Sequence, residues 1–345
     1  MINLGIAGLG HIGRIHYEAS RKIENARVVA VATSRAEAAR KLCSPDVFIY
    51  TDHGTLLRHP GLDAVVVCLP TFLHEEYVRA SVGSGLHVLC EKPLALDAGA
   101  AQRMIEAAEQ ARRLLMVGQV LRFWPQYVRI KELVDSSAIG PVCAVRAYRL
   151  ASYPKWASWF RDPKKSGGCL LDLQIHDVDF IYCLLGFPAW VSTVGIQSPS
   201  GSWDHVSTTL QYPGALASVE ASYLMPESWP FSCGIRVTGG NGCLEFHFRV
   251  AGNIEQRQKA VGDFLMYGSG GAITRPEFQP GDIYASQLHY FVDCLERGEP
   301  PARCPPRHSL EVMRIMDACR RSADIGQAVK PEAADGSSGG HLPGV

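Results

Sequence analysis

Gly8-Leu9-Gly10-His11-Ile12-Gly13 stands between an apolar segment, Ile2–Ala7, and a segment with helical periodicity, Ile12–Ser20. The apolar segment is short enough for a buried strand, and the periodic segment is long enough for a surface helix. A G-x-G-x-x-G sequence in this strand–turn–helix context is typical of a dinucleotide-binding turn.

Each glycine of this turn has a separate task. Gly8 permits the tight bend, Gly10 lets a pyrophosphate approach the backbone, and Gly13 allows the helix to pack closely on the strand. The remaining turn residues, His11 and Ile12, are expected to face the phosphates with their backbone at the helix N-terminus. The alternative is a glycine-rich turn without a ligand.

The first third of the chain alternates short apolar runs with helical patterns. Nearly continuous apolar runs are expected for strands with helices on both faces, so the alternation predicts a doubly wound parallel sheet of the α/β class. We expect Thr71 and Asp97 to cap the last two helices. The predicted strands are Ile2–Ala7, Val28–Thr33, Val47–Tyr50, Ala64–Leu69, Val88–Cys90 and Leu114–Gly118, and the helices are Ile12–Ser20, Ala36–Leu42, Leu73–Ser84 and Ala98–Ala111.

The pattern changes after a predicted helix, Trp124–Asp135. Longer strands joined by Gly, Pro and Ser turns follow, and one strong helix, Leu170–Leu185, interrupts them. This pattern predicts an α+β domain with a mainly antiparallel sheet. Two amphipathic helices, Tyr284–Arg297 and Ser309–Ala323, are expected to return to the first domain. The predicted strands are Val142–Leu150, Val191–Gln197, His205–Gln211, Leu216–Leu224, Ser232–Thr238 and Cys243–Phe248.

The chain of 345 residues is long enough for two hydrophobic cores. We predict a dinucleotide-binding Rossmann domain over residues 1–120 and a substrate-binding α+β domain over residues 121–330. Residues 331–345 are rich in Ala, Asp, Ser and Gly, which predicts a disordered tail.

The end of the second strand distinguishes NAD from NADP. NAD-binding domains usually carry an acidic residue about 20 residues after the glycine turn, where it binds the ribose diol. Here Thr33, Ser34 and Arg35 occupy that position. Two hydroxyls and a guanidinium can bind a 2′-phosphate, so the sequence favours NADP over NAD. The alternative for Arg35 is a solvated residue at the start of a helix.

Loops after later strands reach the same edge of the predicted sheet, where ligands bind in such folds. Leu69 ends the fourth strand, and Pro70 and Thr71 follow it. These three residues are expected to line the nicotinamide side of the cofactor site. His74 either contributes to that site or orients the loop. Gln119, after the sixth strand, is also assigned to the cofactor site.

Glu91-Lys92-Pro93 follows the fifth strand at this edge. An amine beside a cationic nicotinamide is driven towards neutrality, so Lys92 can titrate near working pH and hydrogen-bond the reacting oxygen. Glu91 is assigned to the cofactor site, and Pro93 is expected to fix the approach of the lysine, through a cis bond if one forms. The alternative is a solvated lysine.

Asp172 and His176 are spaced i, i+4 and are expected to share one helix face, after a flexible Ser166-Gly167-Gly168 entry. The carboxylate can hold an imidazole tautomer or a substrate hydroxyl, and histidine is the usual proton shuttle near neutral pH. The alternatives are a capping Asp with a packed His, or a weak metal site with Asp179. We predict no metal.

An aromatic segment between the predicted domains suits a carbohydrate pocket, since aromatic rings stack on sugar faces. It could equally anchor a loop or an oligomer contact. Arg122, at the end of the sixth strand, could reach the same cleft. The substrate residues of this segment are Tyr153, Trp156, Trp159 and Arg161.

Composition excludes several classes of partner. Lys plus Arg and Asp plus Glu number 34 each, and no basic tract interleaved with aromatics is present, so nucleic acid is not expected. No apolar run approaches the roughly 18 residues of a membrane span. The eleven cysteines are scattered without a C-x-x-C pair, and the N-terminus enters a strand at once, which predicts a reduced, cytoplasmic protein.

Taken in order, these motifs resemble the Gfo/Idh/MocA oxidoreductases over about Ile2 to Lys330. The resemblance implies a Rossmann domain plus a second domain whose open sheet forms homodimers or homotetramers. It also implies that Lys92, Asp172 and His176 are catalytic. Gln174 departs from the small residue of many members and could reach the pocket. The matching segments are Gly8-x-Gly10-x-x-Gly13, Thr71-x-x-His74, Glu91-Lys92-Pro93, Ser166-Gly167-Gly168 with Asp172-x-x-x-His176-Asp177, and Ser322–Val329.

The resemblance therefore implies an NAD(P)-dependent dehydrogenase or reductase of a sugar, inositol or related polyol. In the oxidative direction, His176 would remove the hydroxyl proton, Lys92 would polarise the oxygen, and Asp172 would orient His176 or hold a neighbouring hydroxyl. One alternative is an NAD-dependent glycosidase that oxidises, eliminates and reduces again. The other is a non-catalytic ligand sensor, although such proteins tend to lose the lysine or the histidine.

Overall fold

A computed structural model describes residues 1–155, 157–250 and 260–333. The chain divides into two compact units: Met1–Trp124 with Pro280–Leu310, and Pro125–Gln279 with Glu311 onwards. Most of the predicted tail, residues 334–345, lies outside the described residues.

The first unit contains a six-stranded parallel sheet in the order β3-β2-β1-β4-β5-β6. Its strands are apolar on both faces, and Leu4, Ile6 and Val66 have no exposed surface. The predicted doubly wound α/β sheet is thus confirmed, with boundaries shifted by at most two residues. The strands are β1 (Ile2–Ala7), β2 (Ala26–Ala32), β3 (Phe48–Tyr50), β4 (Ala64–Val67), β5 (His87–Cys90) and β6 (Leu115–Val117).

Helices connect these strands, and one of them was not predicted. The short α3 begins after Asp52, whose side chain accepts a hydrogen bond from Thr55 N–H. Asp97 caps α5 as expected, accepting from Ala100 N–H. The cap predicted at Thr71 is wrong, because a 3-10 turn, Thr71–Leu73, precedes the helix. The helices are α1 (His11–Ser20), α2 (Ala36–Leu42), α3 (His53–Leu56), α4 (His74–Gly83) and α5 (Ala98–Gln110).

The second unit is built on an eight-stranded sheet in the order β14-β13-β12-β11-β7-β10-β9-β8. All neighbouring strands are antiparallel except β10 and β7, so the predicted mainly antiparallel sheet is confirmed. The strands are β7 (Val142–Leu150), β8 (Trp190–Gln197), β9 (Trp203–Tyr212), β10 (Ala215–Ser222), β11 (Phe231–Gly239), β12 (Gly242–Val250), β13 (Ala260–Gly268) and β14 (Ile273–Thr274). The last two were not predicted, since the sequence around them is rich in Gly and polar residues.

The helix predicted over Leu170–Leu185 is two helices. The chain enters the first through Gly167 and Gly168, both at positive φ, and the helical ladder breaks at Leu173. There, His176 N–H bonds Leu173 O at 3.4 Å, an i to i+3 contact that tightens the turn. The helices after the first unit's strands are α6 (Pro125–Asp135), α7 (Pro163–Ser166), α8 (Gly168–Asp172), α9 (Gln174–Leu185), α10 (Ile283–Arg297) and α11 (Pro306–Ile325).

Edge-to-face aromatic packing forms the centre of the second unit. The ring of Tyr127 in α6 meets Phe180 of α9 at 4.8 Å and Phe246 of β12 at 5.6 Å. All three side chains are almost fully buried. These contacts hold the helices against one face of the sheet. Among the described residues, no helix combines the length and apolar character needed to cross a membrane.

Candidate active site

The glycine turn has the shape that a phosphate group requires. Gly8 has φ +93°, and a Cβ there would lie 2.6 Å from Cys68 O. A Cβ on Gly13 would lie 1.9 Å from Gly8 O, so α1 can approach β1 only with glycine at both positions. A Cβ on Gly10 would meet no atom within 4 Å. Gly10 is also the N-cap of α1 and supplies no side-chain oxygen to the helix. The open space at this N-terminus fits a dinucleotide pyrophosphate.

The residues that follow β2 lie at the other end of the predicted cofactor site. Thr33 is buried, and its hydroxyl accepts a hydrogen bond from Arg35 N–H at 3.2 Å. Ser34 and Arg35 are exposed, and Arg35 stands immediately before α2. This position suits either a phosphate-binding or a solvated guanidinium.

His74 ties together the loops that follow β4 and β5. Its ring is buried, with Nε2 2.8 Å from Leu69 O and Nδ1 2.9 Å from Pro93 O. Burial lowers the pKa of His74, and its two carbonyl contacts and the nearby Glu91 oppose that shift. The two contacts let the ring orient the loop. The assignment of His74 and of Leu69-Pro70-Thr71 to the cofactor site stays a prediction.

Lys92 lies at the carboxyl edge of the same sheet, on a backbone held from both sides. It is half-buried, and its peptide bond to Pro93 is cis. Glu91 is buried, with Oε2 3.2 Å from Lys92 N and Oε1 2.6 Å from Nε2 of His16. Sequence analysis missed His16. Its position three residues after Gly13, on the inner face of α1, was the only indication available.

Two further predicted residues follow β6. Gln119 is buried, and its Oε1 has no hydrogen-bond partner within the described structure. Arg122 is also buried and donates from Nη1 to Arg303 O at 2.9 Å. The assignment of Gln119 to the cofactor and of Arg122 to the substrate stays a prediction.

In the second unit, Asp172 belongs to a chain of aromatic and acidic side chains. Its Oδ2 accepts a short hydrogen bond from Tyr223 OH. Tyr223 stacks on Tyr153 at 4.8 Å, and Tyr153 OH donates to Asp204 at 2.5 Å. The guanidinium of Arg161 lies 4.4 Å above the Tyr153 ring. Burial and the adjacent Asp172 raise the pKa of Tyr223 well above its usual value, so Tyr223 remains a proton donor to the carboxylate.

This cluster joins three predicted substrate residues, Tyr153, Arg161 and Asp172, with two that sequence analysis missed, Tyr223 and Asp204. Nothing local marks the missed residues, which lie about 50 positions from their partners along the chain. The adjacent pairing of β7 with β10 brings these segments together.

His176 lies in the first turn of α9 and is partly accessible, whereas Asp172 ends α8. The two side chains therefore occupy two helices, and the prediction of one shared helix face is wrong. The residue after His176, Asp177, forms two 3.0 Å hydrogen bonds with Arg149, and both groups are buried. Burial raises the pKa of Asp177 while Arg149 opposes that shift. Asp177 therefore anchors α9 to β7 through this buried ion pair.

The other predicted substrate residues are placed as follows. Trp159 stacks on Phe160, with ring centres 4.0 Å apart. Trp156 lies outside the described residues. Gln174 is fully buried, and neither amide atom has a hydrogen-bond partner in the part of the chain that the structure describes. Within those same residues, no three His, Cys, Asp or Glu side chains are arranged to hold a metal ion.

Two models of known protein families match successive parts of the chain. Residues 2–119 match a family model described as the GFO_IDH_MocA oxidoreductase family with an NAD-binding Rossmann fold. Residues 127–245 match the GFO/IDH/MocA C-terminal domain.

Individual relatives match over nearly full length. The chain is 34% identical to D-xylose 1-dehydrogenase (NADP(+)) 2 of Haloferax volcanii, covering 95% of this chain and 98% of that protein. It is 29% identical to myo-inositol 2-dehydrogenase of Thermotoga maritima, over 87% and 90% of the two chains. The fold is similar to that of an aldose-aldose oxidoreductase from Caulobacter crescentus complexed with glycerol, with a TM-score of 0.82, 24% identity and coverage of 95% and 99%.

Proposed function

The chain belongs to the Gfo/Idh/MocA family of oxidoreductases, and we propose that it transfers a hydride between a nicotinamide cofactor and a carbinol carbon of a sugar, inositol or related polyol. The observation that carries the proposal lies in the first unit. Lys92, half-buried and fixed by its neighbours, stands at the sheet edge that also carries the open turn at Gly10. A polarising amine and a dinucleotide turn at one sheet edge are what carbinol oxidation requires.

The cofactor residues proposed are those of the glycine turn, the end of β2 and the loops after β4, β5 and β6. Bound nicotinamide would supply the hydride acceptor or donor. We favour NADP, because the end of β2 carries no carboxylate and Arg35 is exposed beside the hydroxyls of Thr33 and Ser34. The name of the Haloferax volcanii relative also specifies NADP(+).

We propose that three side chains, Lys92, Asp172 and His176, act on the hydroxyl proton and oxygen of the substrate. We assign proton removal in the oxidative direction to His176 and polarisation of the hydroxyl oxygen to Lys92. Asp172 orients His176 or holds a neighbouring hydroxyl. Oδ2 of Asp172 accepts a hydrogen bond from Tyr223 OH, which fixes the carboxylate for that task. Tyr153, Trp159 and Arg161 are proposed to contact the sugar or polyol.

The proposal also includes an oligomeric state and a cellular location. The β8–β10 side of the second sheet carries exposed apolar residues, including Trp190, Val194, Ile196 and Leu216. Exposed apolar surface of this kind is typical of protein interfaces, which supports a homodimer or homotetramer through the sheet. The eleven cysteines, all in the described part of the chain, form no disulfides with one another, as is typical of a cytoplasmic protein. The relatives above are named as dehydrogenases and oxidoreductases, so the glycosidase and the ligand sensor are not proposed.

The first step of the test identifies the cofactor that the protein binds more tightly. NADH and NADPH are titrated by fluorescence, and sugars and polyols are then screened by absorbance at the reduced nicotinamide band with the tighter-binding cofactor. Loss of general acid–base assistance in Lys92→Ala is expected to lower kcat by about 10²- to 10⁴-fold while cofactor affinity is retained. Lys41→Ala removes an exposed lysine of α2 and serves as the control. Near-parental turnover by Lys92→Ala would exclude this mechanism.

A further inference from the structure

A histidine outside the predicted site holds the carboxylate that precedes Lys92. His16 lies in the second turn of α1 and has no exposed surface. Its Nε2 is 2.6 Å from Oε1 of Glu91, and Oε2 of Glu91 accepts from the backbone N–H of Lys92. Two hydrogen bonds therefore connect the helix that begins at the glycine turn with the backbone of Lys92.

The surroundings of His16 indicate which ring nitrogen carries the proton of this hydrogen bond. Nδ1 of His16 is buried without a hydrogen-bond partner in the described structure, and the ring edge packs against Tyr284 at 5.4 Å. A proton on Nδ1 would be a buried donor without an acceptor, which is costly. The geometry therefore places the proton of the hydrogen bond on Nε2, and the ring donates it to Glu91. Glu91 accepts one hydrogen bond on each oxygen.

The carboxylate has little freedom to move. Gly118 passes so close that a Cβ there would lie 3.2 Å from the Cα, Cδ and Oε1 of Glu91. On the other side of Lys92, the carbonyl of Pro93 is held by His74. Buried histidines thus fix both neighbours of Lys92. His74 contacts the backbone carbonyl of Pro93, whereas His16 contacts the side chain of Glu91.

We propose that His16 is a positioning residue, which fixes the backbone of Lys92 through Glu91 and so sets the direction of its amine. The consequence for turnover rests on the proposed function, in which Lys92 polarises the substrate oxygen. The hydrogen-bonded chain itself is present whatever the substrate is. Loss of His16 is expected to release Glu91 and the Lys92 loop while the glycine turn, which lies at the start of α1, stays intact.

The test uses three variants of the full-length protein. His16→Leu removes the donor, and His16→Gln keeps an amide donor near the position of Nε2. Tyr17→Phe, at the next residue of α1, removes a hydrogen bond of 2.7 Å from Ser44 N–H and leaves Glu91 untouched. Thermal melting and NADPH titration show which variants are folded and bind cofactor.

Two measurements then distinguish a loss of Lys92 positioning from a general loss of folded structure. The first is the acetylation rate of Lys92 relative to the exposed Lys41, measured by peptide mass spectrometry. This ratio is expected to rise several-fold in His16→Leu, to stay parental in Tyr17→Phe, and to return towards the parental value in His16→Gln. The second is turnover of the polyol found by screening. Because small misplacements of a catalytic group can cost about 10²-fold, kcat of His16→Leu is expected to fall by roughly 10- to 100-fold with KM and cofactor affinity near parental values.

A folded His16→Leu with parental acetylation of Lys92, or with parental kcat, would overturn the proposal. If His16→Leu does not fold, His16→Asn takes its place, because its shorter amide cannot reach Glu91 as Nε2 does. If the parent protein oxidises no sugar or polyol, the proposed function fails by itself. The acetylation ratio then still decides whether His16 positions Lys92.

Discussion

Replacement of Gly10 by alanine separates the cofactor role of the turn from its structural role. The backbone of Gly10 has φ −75°, which alanine adopts without strain, and the added Cβ would meet no atom within 4 Å. The cost to the protein alone is that of alanine instead of glycine at an N-cap, about 0.5–1 kcal/mol. The free energy of unfolding without cofactor is therefore expected to change only slightly.

Cofactor binding is expected to respond much more strongly. If a pyrophosphate approaches the backbone at Gly10, the new methyl group occupies the space that the phosphate needs. Overpacking of one methyl in a close contact costs about 1–3 kcal/mol. At 1.4 kcal/mol per factor of ten, the dissociation constant for NADPH should rise by roughly 5- to 150-fold.

Fluorescence titration of NADPH and urea unfolding without cofactor measure the two effects separately. Gly83→Ala is a matched control, since Gly83 is exposed at the end of α4 and its added Cβ also meets no atom within 4 Å. It should bind NADPH normally. Gly13→Ala should lose both stability and binding, because its Cβ would overlap Gly8 O. Parental NADPH affinity in Gly10→Ala would refute the assignment of the turn to the pyrophosphate.

Three other predictions concern pH, a buried ion pair and cofactor choice. Burial lowers the pKa of His87 from 6.5, and its Nδ1 accepts from Leu114 N–H, so the unfolded chain binds the proton more readily. The free energy of unfolding should therefore fall as pH drops below about 6.5. This dependence, measured by urea unfolding, should become shallower in His87→Gln, while the buried His74, whose pKa is also lowered, keeps part of it. Asp177→Ala leaves Arg149 buried without its partner and should lower the free energy of unfolding by about 3–5 kcal/mol, measured by urea unfolding. Replacing both residues by apolar ones should lower it by less. Arg35→Ala should weaken NADPH binding by about tenfold, as for loss of a charge-assisted hydrogen bond, and leave NADH binding nearly unchanged. Unchanged binding of both cofactors would assign Arg35 to solvent, and an equal loss for both would exclude a specific contact with the 2′-phosphate.

The sequence was sufficient for the elements that local patterns control. The six parallel strands were found because apolar runs such as Ala64–Val67 are buried on both faces, which leaves an uninterrupted pattern. The break at Leu173 could not be found in this way. Apolar residues continue on either side of it, and the break shows only in the hydrogen bonds of the backbone. The spacing of apolar residues indicates which residues are buried. Because two short helices can bury the same residues as one long helix, the spacing does not distinguish the two arrangements.

The functional residues His16 and Tyr223 were missed for a different reason. His16 and Glu91 are 75 residues apart, and Tyr223 and Asp172 are 51 residues apart. No local pattern encodes such a pair, since each partner alone reads as an ordinary buried polar residue.

Strand order supplies part of the missing information. The helix α1 leads from β1 to β2, but it also packs against β4 on the other side of β1. Val67, the last residue of β4, accepts a hydrogen bond from Glu91 N–H at the end of β5. A buried histidine of α1 requires a hydrogen-bond partner, and Glu91 is the acidic residue at that strand end. The pair is compatible with this topology, and the contact between His16 and Glu91 identifies it. A doubly wound sheet should therefore be searched for such pairs strand end by strand end, after the motifs have fixed the strand order.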